Sequence, residues 1–313
     1  MISKIRLIIQ NISFIFLTYG GKLGIHLGYS LPCFSCPYVG GCAGNCYLMA
    51  LQGNYGFEIA AADVFSTWGE RALLIFILFL VLFMLLSKLW CGWICPFGTL
   101  QDWFTSLRRK LGIAETEFSW KTRDRQKIIK YILLAALIII PLCIANFGLH
   151  SDFKMPFCQI CPAKPIMPLF CGETRHLSLD FTNSITLSFT ILSMVITGGL
   201  FVGIFFKDRF FCMFCPMLAL MHIFSKIGFI HFKKSVNTCQ GCGNCKRMCP
   251  VDIRDVYLEK ENKDVLTEDC MLCLKCIESC PGDSVLSVKF FNLNIFSSSR
   301  KYLADKCGRL HGK

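Results

Sequence analysis

Two matching cysteine runs toward the C-terminal end constrain the fold of this chain more than any other feature. Each run has the spacing Cys-x2-Cys-x2-Cys-x3-Cys-Pro, starting at Cys239 and at Cys270. In this spacing, the first three thiolates of a run bind one cubane [4Fe–4S] cluster and the fourth binds the other cluster. The runs therefore predict one cluster held by Cys239, Cys242, Cys245 and Cys280, and a second held by Cys270, Cys273, Cys276 and Cys249.

Structural zinc is the alternative for these runs, since paired Cys-x2-Cys motifs also hold tetrahedral zinc. A zinc site needs four thiolates. It gives no reason for a third evenly spaced cysteine, a fourth after three residues and a proline after that, in both runs. The spacing therefore favours iron–sulfur clusters over zinc.

The chain as a whole has the composition of a membrane protein. Of its 313 residues, 21 are Cys and 29 are Phe, 54% are hydrophobic, and the formal net charge is +12. A secreted disulfide scaffold is a poor fit because that class is short and lacks apolar spans. Crossing a hydrocarbon core of about 30 Å takes about 20 apolar residues. Four apolar stretches are predicted to do so, at residues 5–19, 72–89, 128–144 and 185–206.

The distribution of basic residues predicts the topology. Lys and Arg are concentrated between the second and third stretches and after the fourth, whereas the loops near 28–70 and 146–184 are close to charge-balanced. By the positive-inside rule, both termini lie in the cytoplasm. The chain is therefore predicted to be a multi-pass protein of the cytoplasmic (inner) membrane, with its ferredoxin-like part in the cytoplasm. This topology accounts for the positive charge, and no nucleic-acid partner is expected.

The apolar part contains an internal repeat. Cysteine pairs followed by proline begin at Cys33 and Cys158 on the predicted outer side, and at Cys91 and Cys212 on the inner side. Each half is therefore predicted to contain a helix, an outer pair, a second helix and an inner pair. Because both halves enter the membrane in the same direction, this is a parallel repeat about an axis along the membrane normal. The tryptophans at the inner side, Trp90, Trp93 and Trp103, are expected to be interfacial anchors.

Two cysteine pairs from related halves supply the four thiolates that one cubane requires. We therefore expect an inner-interface cluster held by Cys91, Cys95, Cys212 and Cys215. Buried, unreactive cysteine is the alternative, but the paired spacing with a following proline favours ligation. Clusters near both faces would divide the passage of an electron across about 30 Å of lipid into shorter steps.

The outer cysteines admit several arrangements. By symmetry, an outer-interface cluster would be held by Cys33, Cys36, Cys158 and Cys161. An extracytoplasmic disulfide or a Cys-x2-Cys thiol relay is an alternative. In a third arrangement, one cluster uses Cys33, Cys36, Cys42 and Cys46, and a second uses Cys158, Cys161 and Cys171. Spacing does not choose among these.

These patterns predict a mainly α fold. It consists of a four-helix transmembrane bundle built from two parallel repeats, followed by a small α+β 2[4Fe–4S] bacterial-ferredoxin domain. The predicted bounds are 1–232 for the transmembrane domain, 233–290 for the ferredoxin domain and 291–313 for a polar tail. No catalytic residue is predicted. Quinone is a further candidate ligand, because an imidazole at a membrane margin could bind it; the histidines there are His26, His150 and His222.

The motifs Cys91-Gly-Trp-Ile-Cys-Pro-Phe-Gly-Thr-Leu-Gln and Phe211-Cys-Met-Phe-Cys-Pro, followed by the double run, resemble those of the NapH-type membrane polyferredoxins. This family is related to the membrane subunit of periplasmic nitrate reductase systems and to the C-terminal part of the nitrous-oxide reductase regulator. The resemblance covers about residues 33–281. It implies electron transfer between a quinol pool or cytoplasmic donor and a partner across the membrane. The chain departs from the nitrate-reductase branch in its second inner motif, Cys-x2-Cys-Pro instead of Cys-x3-Cys-Pro, and in its richer outer cysteines.

The leading functional hypothesis is an integral-membrane electron relay within a multi-subunit complex, with redox protein partners on one or both sides. The sequence does not fix the direction of electron flow. One alternative is a quinol dehydrogenase subunit that feeds a reductase, and another is an extracytoplasmic thiol–disulfide relay. A role in assembly or regulation, with the clusters as sensors, is a further hypothesis.

Overall fold

The computed structural model describes residues 2–25, 36, 46–52, 67–116, 118–147, 155–172, 174, 183–225, 227–261, 263–267 and 269–303. Two of the predicted ligands, Cys33 and Cys42, lie outside the described residues, as do His26 and His150. The chain divides into two compact units. Unit 1 comprises Met1–Asn11, Leu82–Ile94 and Leu218–Lys313, and unit 2 comprises Ile12–Val81 and Cys95–Met217.

Four long helices overlap the predicted apolar stretches within the described part of the chain. They are α1 (Ile2–Tyr19), α3 (Thr67–Leu86), α5 (Trp120–Phe147) and α8 (Ser184–Phe206). Two described helices are long and apolar enough to cross a membrane, over Lys121–Ile144 and Ser184–Phe206, and Leu73–Leu86 is a shorter apolar helix. The four-helix transmembrane bundle therefore stays a prediction.

Proline starts the helices that follow the cysteine motifs. Cys95 is the N-cap of α4 (Pro96–Lys110), and Pro216 begins α9 (Pro216–Phe224) directly after Cys215. Proline suits the first turn of a helix because its fixed φ is already helical and its missing N–H would have no partner there. Shorter helices in unit 2 are α2 (Tyr47–Ala50), α6 (Pro156–Ile160) and α7 (Ala163–Ile166).

Unit 2 has an apolar core. Its buried members are Phe14, Phe97, Leu100, Ile166, Met167, Leu200 and Ile204. Among the partly buried side chains that pack against this core are Cys36, Cys95 and Cys171. These three predicted ligand cysteines thus lie against the apolar core of the unit.

Unit 1 contains an antiparallel sheet in the order β1-β2-β3, formed by Ile230–Lys234, Leu286–Phe290 and Leu293–Ser297. Phe232 and Val288 are paired in the register and are 1% and 0% exposed, so they form the inner face of the sheet. The sheet begins before residue 233 and ends after residue 290. Three short helices lie between β1 and β2, namely α10 (Asn244–Arg247), α11 (Asp255–Leu258) and α12 (Lys275–Glu278).

Candidate iron–sulfur sites

A cavity in unit 1 collects four thiols from both cysteine runs. The cysteines that were predicted to share one cluster all line it: Cys249, Cys270, Cys273 and Cys276. Cys245 also borders it, and most of the remaining lining is apolar, including Phe232, Val251 and Leu274. An apolar shell around thiolates limits solvent access and lowers the local dielectric constant, which are factors that set the redox potential of a bound centre.

A second cavity in unit 1 collects the other predicted set. It is lined by Cys239, Cys242, Cys245 and Cys280. Cys242 is exposed, whereas the other described cysteines are buried or half-buried. The site predicted from the first run is therefore the more accessible of the two to a soluble partner.

The backbone of both runs alternates into the left-handed region at equivalent positions. In the first run these positions are Gly241 (φ 64°) and Gly243 (φ 72°), and in the second they are Leu272 (φ 49°) and Leu274 (φ 58°). Left-handed residues turn successive N–H groups toward one side and form an anion-binding concavity. For leucine this conformation costs about 1–2 kcal/mol per residue. Burial of each leucine to 1% exposure offsets that cost.

Burial disfavours the thiolate form of the cavity cysteines unless a positive charge lies nearby. Burial raises the pKa of Cys249 to about 12 and that of Cys270 to about 11. Neighbouring thiolates, above all Cys273, raise the pKa of Cys249 further. Buried thiolates therefore need a compensating positive charge, and iron supplies it when bound, since the thiolate is the form that ligates metal. Within the described residues, no three His, Cys, Asp or Glu side chains lie close enough to share a single metal ion.

Lys88 brings a positive charge to the second-run site. Its side chain is fully buried, and its Nζ donates to Thr267 O at 2.7 Å and lies 3.3 Å from His222 Nδ1. Burial raises the pKa of Cys270, whereas the charge of Lys88 lowers it. The sequence patterns did not predict this role, although a lysine at the end of the apolar stretch 72–89, just before the Cys91 motif, was a visible signal.

The Cys91 motif contacts the second cysteine run within unit 1. Gly92 lies directly against the carbonyl oxygen of Met271, and Trp93 Nε1 donates to Leu272 O at 2.9 Å. Arg6 donates to Cys273 O at 3.3 Å. The expectation that Trp93 is an interfacial anchor is wrong, because the indole is only 6% exposed and its N–H bonds to the cysteine run.

Cys95 and Cys212, one cysteine from each inner motif, lie beside the same buried guanidinium in unit 2. Arg209 is 1% exposed, and it forms a two-point ion pair with Asp102, Nε to Oδ1 at 2.9 Å and an Nη to Oδ2 at 2.5 Å. Burial raises the pKa of Cys95 and of Cys212, while the charge of Arg209 lowers both. Cys95 also raises the pKa of Cys212. Cys215, the last inner cysteine, is half-buried in the same unit.

The described outer cysteines also lie in unit 2. Burial raises the pKa of Cys161 well above its usual value, and nearby Cys36, Cys158 and Cys46 raise it further. Cys171 Sγ instead donates to Thr18 O at 3.6 Å. The structure thus brings Cys46 into the neighbourhood of the Cys158–Cys161 pair, which the symmetry of the motifs alone did not predict.

Two protein families match this sequence. The family described as "4Fe-4S binding domain" matches residues 68–114 and 189–237, once in each half of the repeat. The family described as "4Fe-4S dicluster domain" matches residues 231–281, which hold both cysteine runs. These segments of the chain are therefore similar to 4Fe–4S ferredoxin-type domains.

Similar proteins come from bacteria and an archaeon. YccM of Escherichia coli strain K12, named for electron transport, is 28% identical over 233 residues, which are 74% of this chain and 59% of YccM. The uncharacterized protein MJ0750 of Methanocaldococcus jannaschii is 26% identical, over 67% of this chain and 75% of that protein. The ferredoxin-type protein NapH of Haemophilus influenzae is 26% identical, over 62% of this chain and 60% of NapH.

The chain therefore covers less than two thirds of YccM and of NapH. No solved structure matches it. The resemblance that the cysteine motifs predicted is nevertheless confirmed by these relatives and by both family matches.

Proposed function

We propose that this chain, a relative of the NapH-type polyferredoxins, is an integral-membrane iron–sulfur protein that relays electrons between ferredoxin-type sites in the cytoplasm and a partner in or beyond the membrane. Each cluster, when bound, takes up and releases one electron at a time. The chain's own residues determine where those sites lie, how close they are and which charges surround them.

One observation carries this proposal: the contact between the Cys91 motif and the second cysteine run. Gly92 packs on Met271, and the Trp93 indole N–H donates to Leu272 O at 2.9 Å, so the two motifs are in direct contact within one compact unit. Gln10 Nε2 adds a bond to Gly92 O at 3.0 Å. Electron tunnelling falls steeply with distance, so a direct contact of this kind is what a relay between the two motifs requires.

We propose that Cys91, Cys95, Cys212 and Cys215 together hold an inner cluster, as the repeat spacing predicts. The buried positive charge of Arg209 beside Cys95 and Cys212 supports this proposal. A cluster with four thiolates carries net negative charge, and a buried charge requires a partner. Arg209 provides this positive charge inside the protein, and Asp102 holds its guanidinium in place by accepting from Nε at 2.9 Å.

The apolar faces of the long helices support a membrane location. Only 28% of the Lys121–Ile144 window and 22% of the Ser184–Phe206 window are buried inside the structure. The helices α1 and α3 also expose large apolar side chains, namely Leu7, Ile8, Ile12, Ile15, Leu73, Leu74, Ile77, Val81 and Leu85. Such surfaces are unfavourable in water and suit lipid. We therefore propose four spans in two parallel repeats, with both termini in the cytoplasm.

Metal analysis tests the proposal. Anaerobically purified full-length chain is expected to contain about 16 iron atoms, counting four for each of two ferredoxin-type, one inner and one outer cluster. A Cys212→Ser variant is expected to lose about four of them, because a hydroxyl replaces one inner thiolate, and to keep the spectra of the ferredoxin-type sites. The measurement is iron and acid-labile sulfide per chain, combined with electron paramagnetic resonance.

The matched control is Cys143→Ser, a cysteine within α5 that belongs to none of the motifs. It is expected to keep the full iron content. A wild-type value of about 8 would confine ligation to the two cysteine runs and would overturn the proposed relay.

A further inference from the structure

Gln101 forms a hydrogen bond to Cys212, the first cysteine of the second inner motif. Its side chain is fully buried in unit 2. Its Oε1 accepts the N–H of Phe211 at 3.0 Å, and its Nε2 donates to Cys212 Sγ at 3.7 Å and to Phe97 O at 3.4 Å. The side-chain amide of Gln101 therefore bonds both to the Cys212 thiol and to the backbone N–H of the preceding residue, Phe211.

Gln52 makes the same set of contacts on the outer motif. It is also fully buried in unit 2. Its Oε1 accepts the N–H of Phe157 at 3.0 Å, and its Nε2 donates to Cys158 Sγ at 3.2 Å and to Leu48 O at 3.0 Å. In both cases the bound cysteine opens a Phe-Cys-x2-Cys-Pro motif, and the backbone acceptor lies four residues before the glutamine.

The match extends to the cysteine that precedes each glutamine. Gln101 follows Cys95 by six residues, and Gln52 follows Cys46 by six residues. Each of these cysteines is the N-cap of the helix that leads toward its glutamine. The four-residue step from Cys91 to Cys95 also recurs in the sequence from Cys42 to Cys46; Cys42 lies outside the described residues.

Gln52 connects the described outer cysteines of this pattern. Its Nε2 contacts both Cys158 Sγ and the backbone oxygen of Leu48, which lies in the helix capped by Cys46. Cys158 lies in α6, and Cys161 is the C-cap of that same short helix. Clustered, buried sulfur donors are the ligand type that iron–sulfur clusters use.

We propose that Cys46, Cys158 and Cys161 are ligands of an outer iron–sulfur cluster, and that Gln52 positions this site as Gln101 positions the inner one. This inference rests on the proposed function, since it takes the inner cysteines as cluster ligands. It differs from the set drawn from motif symmetry by including Cys46. An amide N–H that donates to a ligand sulfur is among the factors that set the potential of a cluster.

Serine variants of the full-length chain test the ligand set. Cys46→Ser and Cys158→Ser are each expected to remove the same paramagnetic signal and about four iron atoms per chain. The control is Cys171→Ser, because a serine hydroxyl can also donate to Thr18 O, the acceptor of Cys171. Full iron in Cys46→Ser would overturn the inference, as would a disulfide at Cys46 or Cys158 in air-free protein.

Glutamine variants test whether Gln52 and Gln101 position the two sites. The measured quantity is the midpoint potential of each site, which would not change if the glutamines only stabilised the fold. Gln52→Met is expected to lower the midpoint potential of the outer signal, because an N–H donor to sulfur is lost. We expect about a tenfold change in the ratio of reduced to oxidised centre, or about 59 mV for one electron, with iron content unchanged. Gln101→Met is expected to move the inner signal and leave the outer one in place.

Failure of the proposed function and failure of the outer-site inference give different iron contents. About 8 iron atoms per chain would remove the inner cluster and with it the proposed function. About 12 iron atoms with the inner signal intact would overturn only the outer site. Potentials that stay unchanged in Gln52→Met, with full iron, would overturn the positioning role of the glutamine.

Discussion

Replacing Arg209 with methionine is expected to lower the free energy of unfolding by about 3–5 kcal/mol, the usual cost of breaking a buried ion pair by removing one partner. The guanidinium is 1% exposed, and its loss would leave the Asp102 carboxylate buried at 9% exposure without its two-point partner. The same change would remove a positive charge beside Cys95 and Cys212. We therefore also expect a lower midpoint potential, or loss of iron, at the inner site only. Chemical unfolding in detergent and redox titration measure the two effects.

The control for Arg209→Met is Arg109→Met. Arg109 also pairs with a buried aspartate, Asp208 at 2.6 Å, but its own side chain is 53% exposed. Exposed charges contribute about 0–1 kcal/mol to such pairs, so this variant is expected to unfold nearly as the wild type does. The double variant Arg209→Met/Asp102→Leu is expected to recover most of the lost stability, since replacing a whole buried pair with apolar side chains is often neutral. Equal destabilisation by both single variants would contradict this explanation.

A single added methyl group at Gly92 is expected to remove the iron held by the second cysteine run. A Cβ there would overlap the carbonyl oxygen of Met271 and lie 3.3 Å from both N and Cα of Cys273. These are backbone atoms of the run itself, so the contact cannot be relieved by rotating a side chain. Gly92→Ala is therefore expected to displace the run, with loss of about four iron atoms per chain and about 1–3 kcal/mol of stability. Iron analysis and unfolding measure both.

Gly199→Ala is the matched control for Gly92→Ala. Gly199 lies inside α8, and a Cβ built on it meets nothing within 4 Å. Alanine is favoured over glycine in a helix by about 1 kcal/mol, so this variant is expected to retain its iron and to be at least as stable as the wild type. If Gly92→Ala kept full iron and behaved like Gly199→Ala, the close packing of the Cys91 motif on the second run would be refuted.

The spacing of the two runs predicted which thiols line each cavity of unit 1, because that pattern lies within short stretches of consecutive residues; that these thiols bind clusters stays a prediction. Each cavity in unit 1 is lined by the four thiols that the two runs predict for one cluster. The four long helices were predictable for a similar reason, since each contains a continuous apolar stretch. The strand Leu293–Ser297 lies in the segment 291–313, for which the sequence predicted a polar tail. Its apolar residues at alternate positions, Leu293 and Ile295, were the signal for a strand.

The remaining features depend on contacts between distant residues. Arg209 and Asp102 are 107 positions apart in the sequence, and Gln101 and Phe211 are 110 positions apart. No local sequence pattern pairs residues over such distances. Leu272 and Leu274 adopt a left-handed backbone conformation that leucine does not favour, at positions where the first run has glycine. Their burial compensates for this conformation, and burial cannot be read from the local sequence. Trp93 was misplaced because an apolar ring with one N–H suits a membrane interface and a buried hydrogen bond equally well.

Electron transfer into closed vesicles tests the central claim most directly. The full-length chain is reconstituted into liposomes that enclose a membrane-impermeant oxidant, and a membrane-impermeant reductant is added outside. We expect reduction of the enclosed oxidant with the wild type and none with Cys95→Ser/Cys212→Ser, although this variant should keep the iron of its two cysteine runs. Equal rates in wild-type, variant and protein-free vesicles would contradict a relay across the membrane.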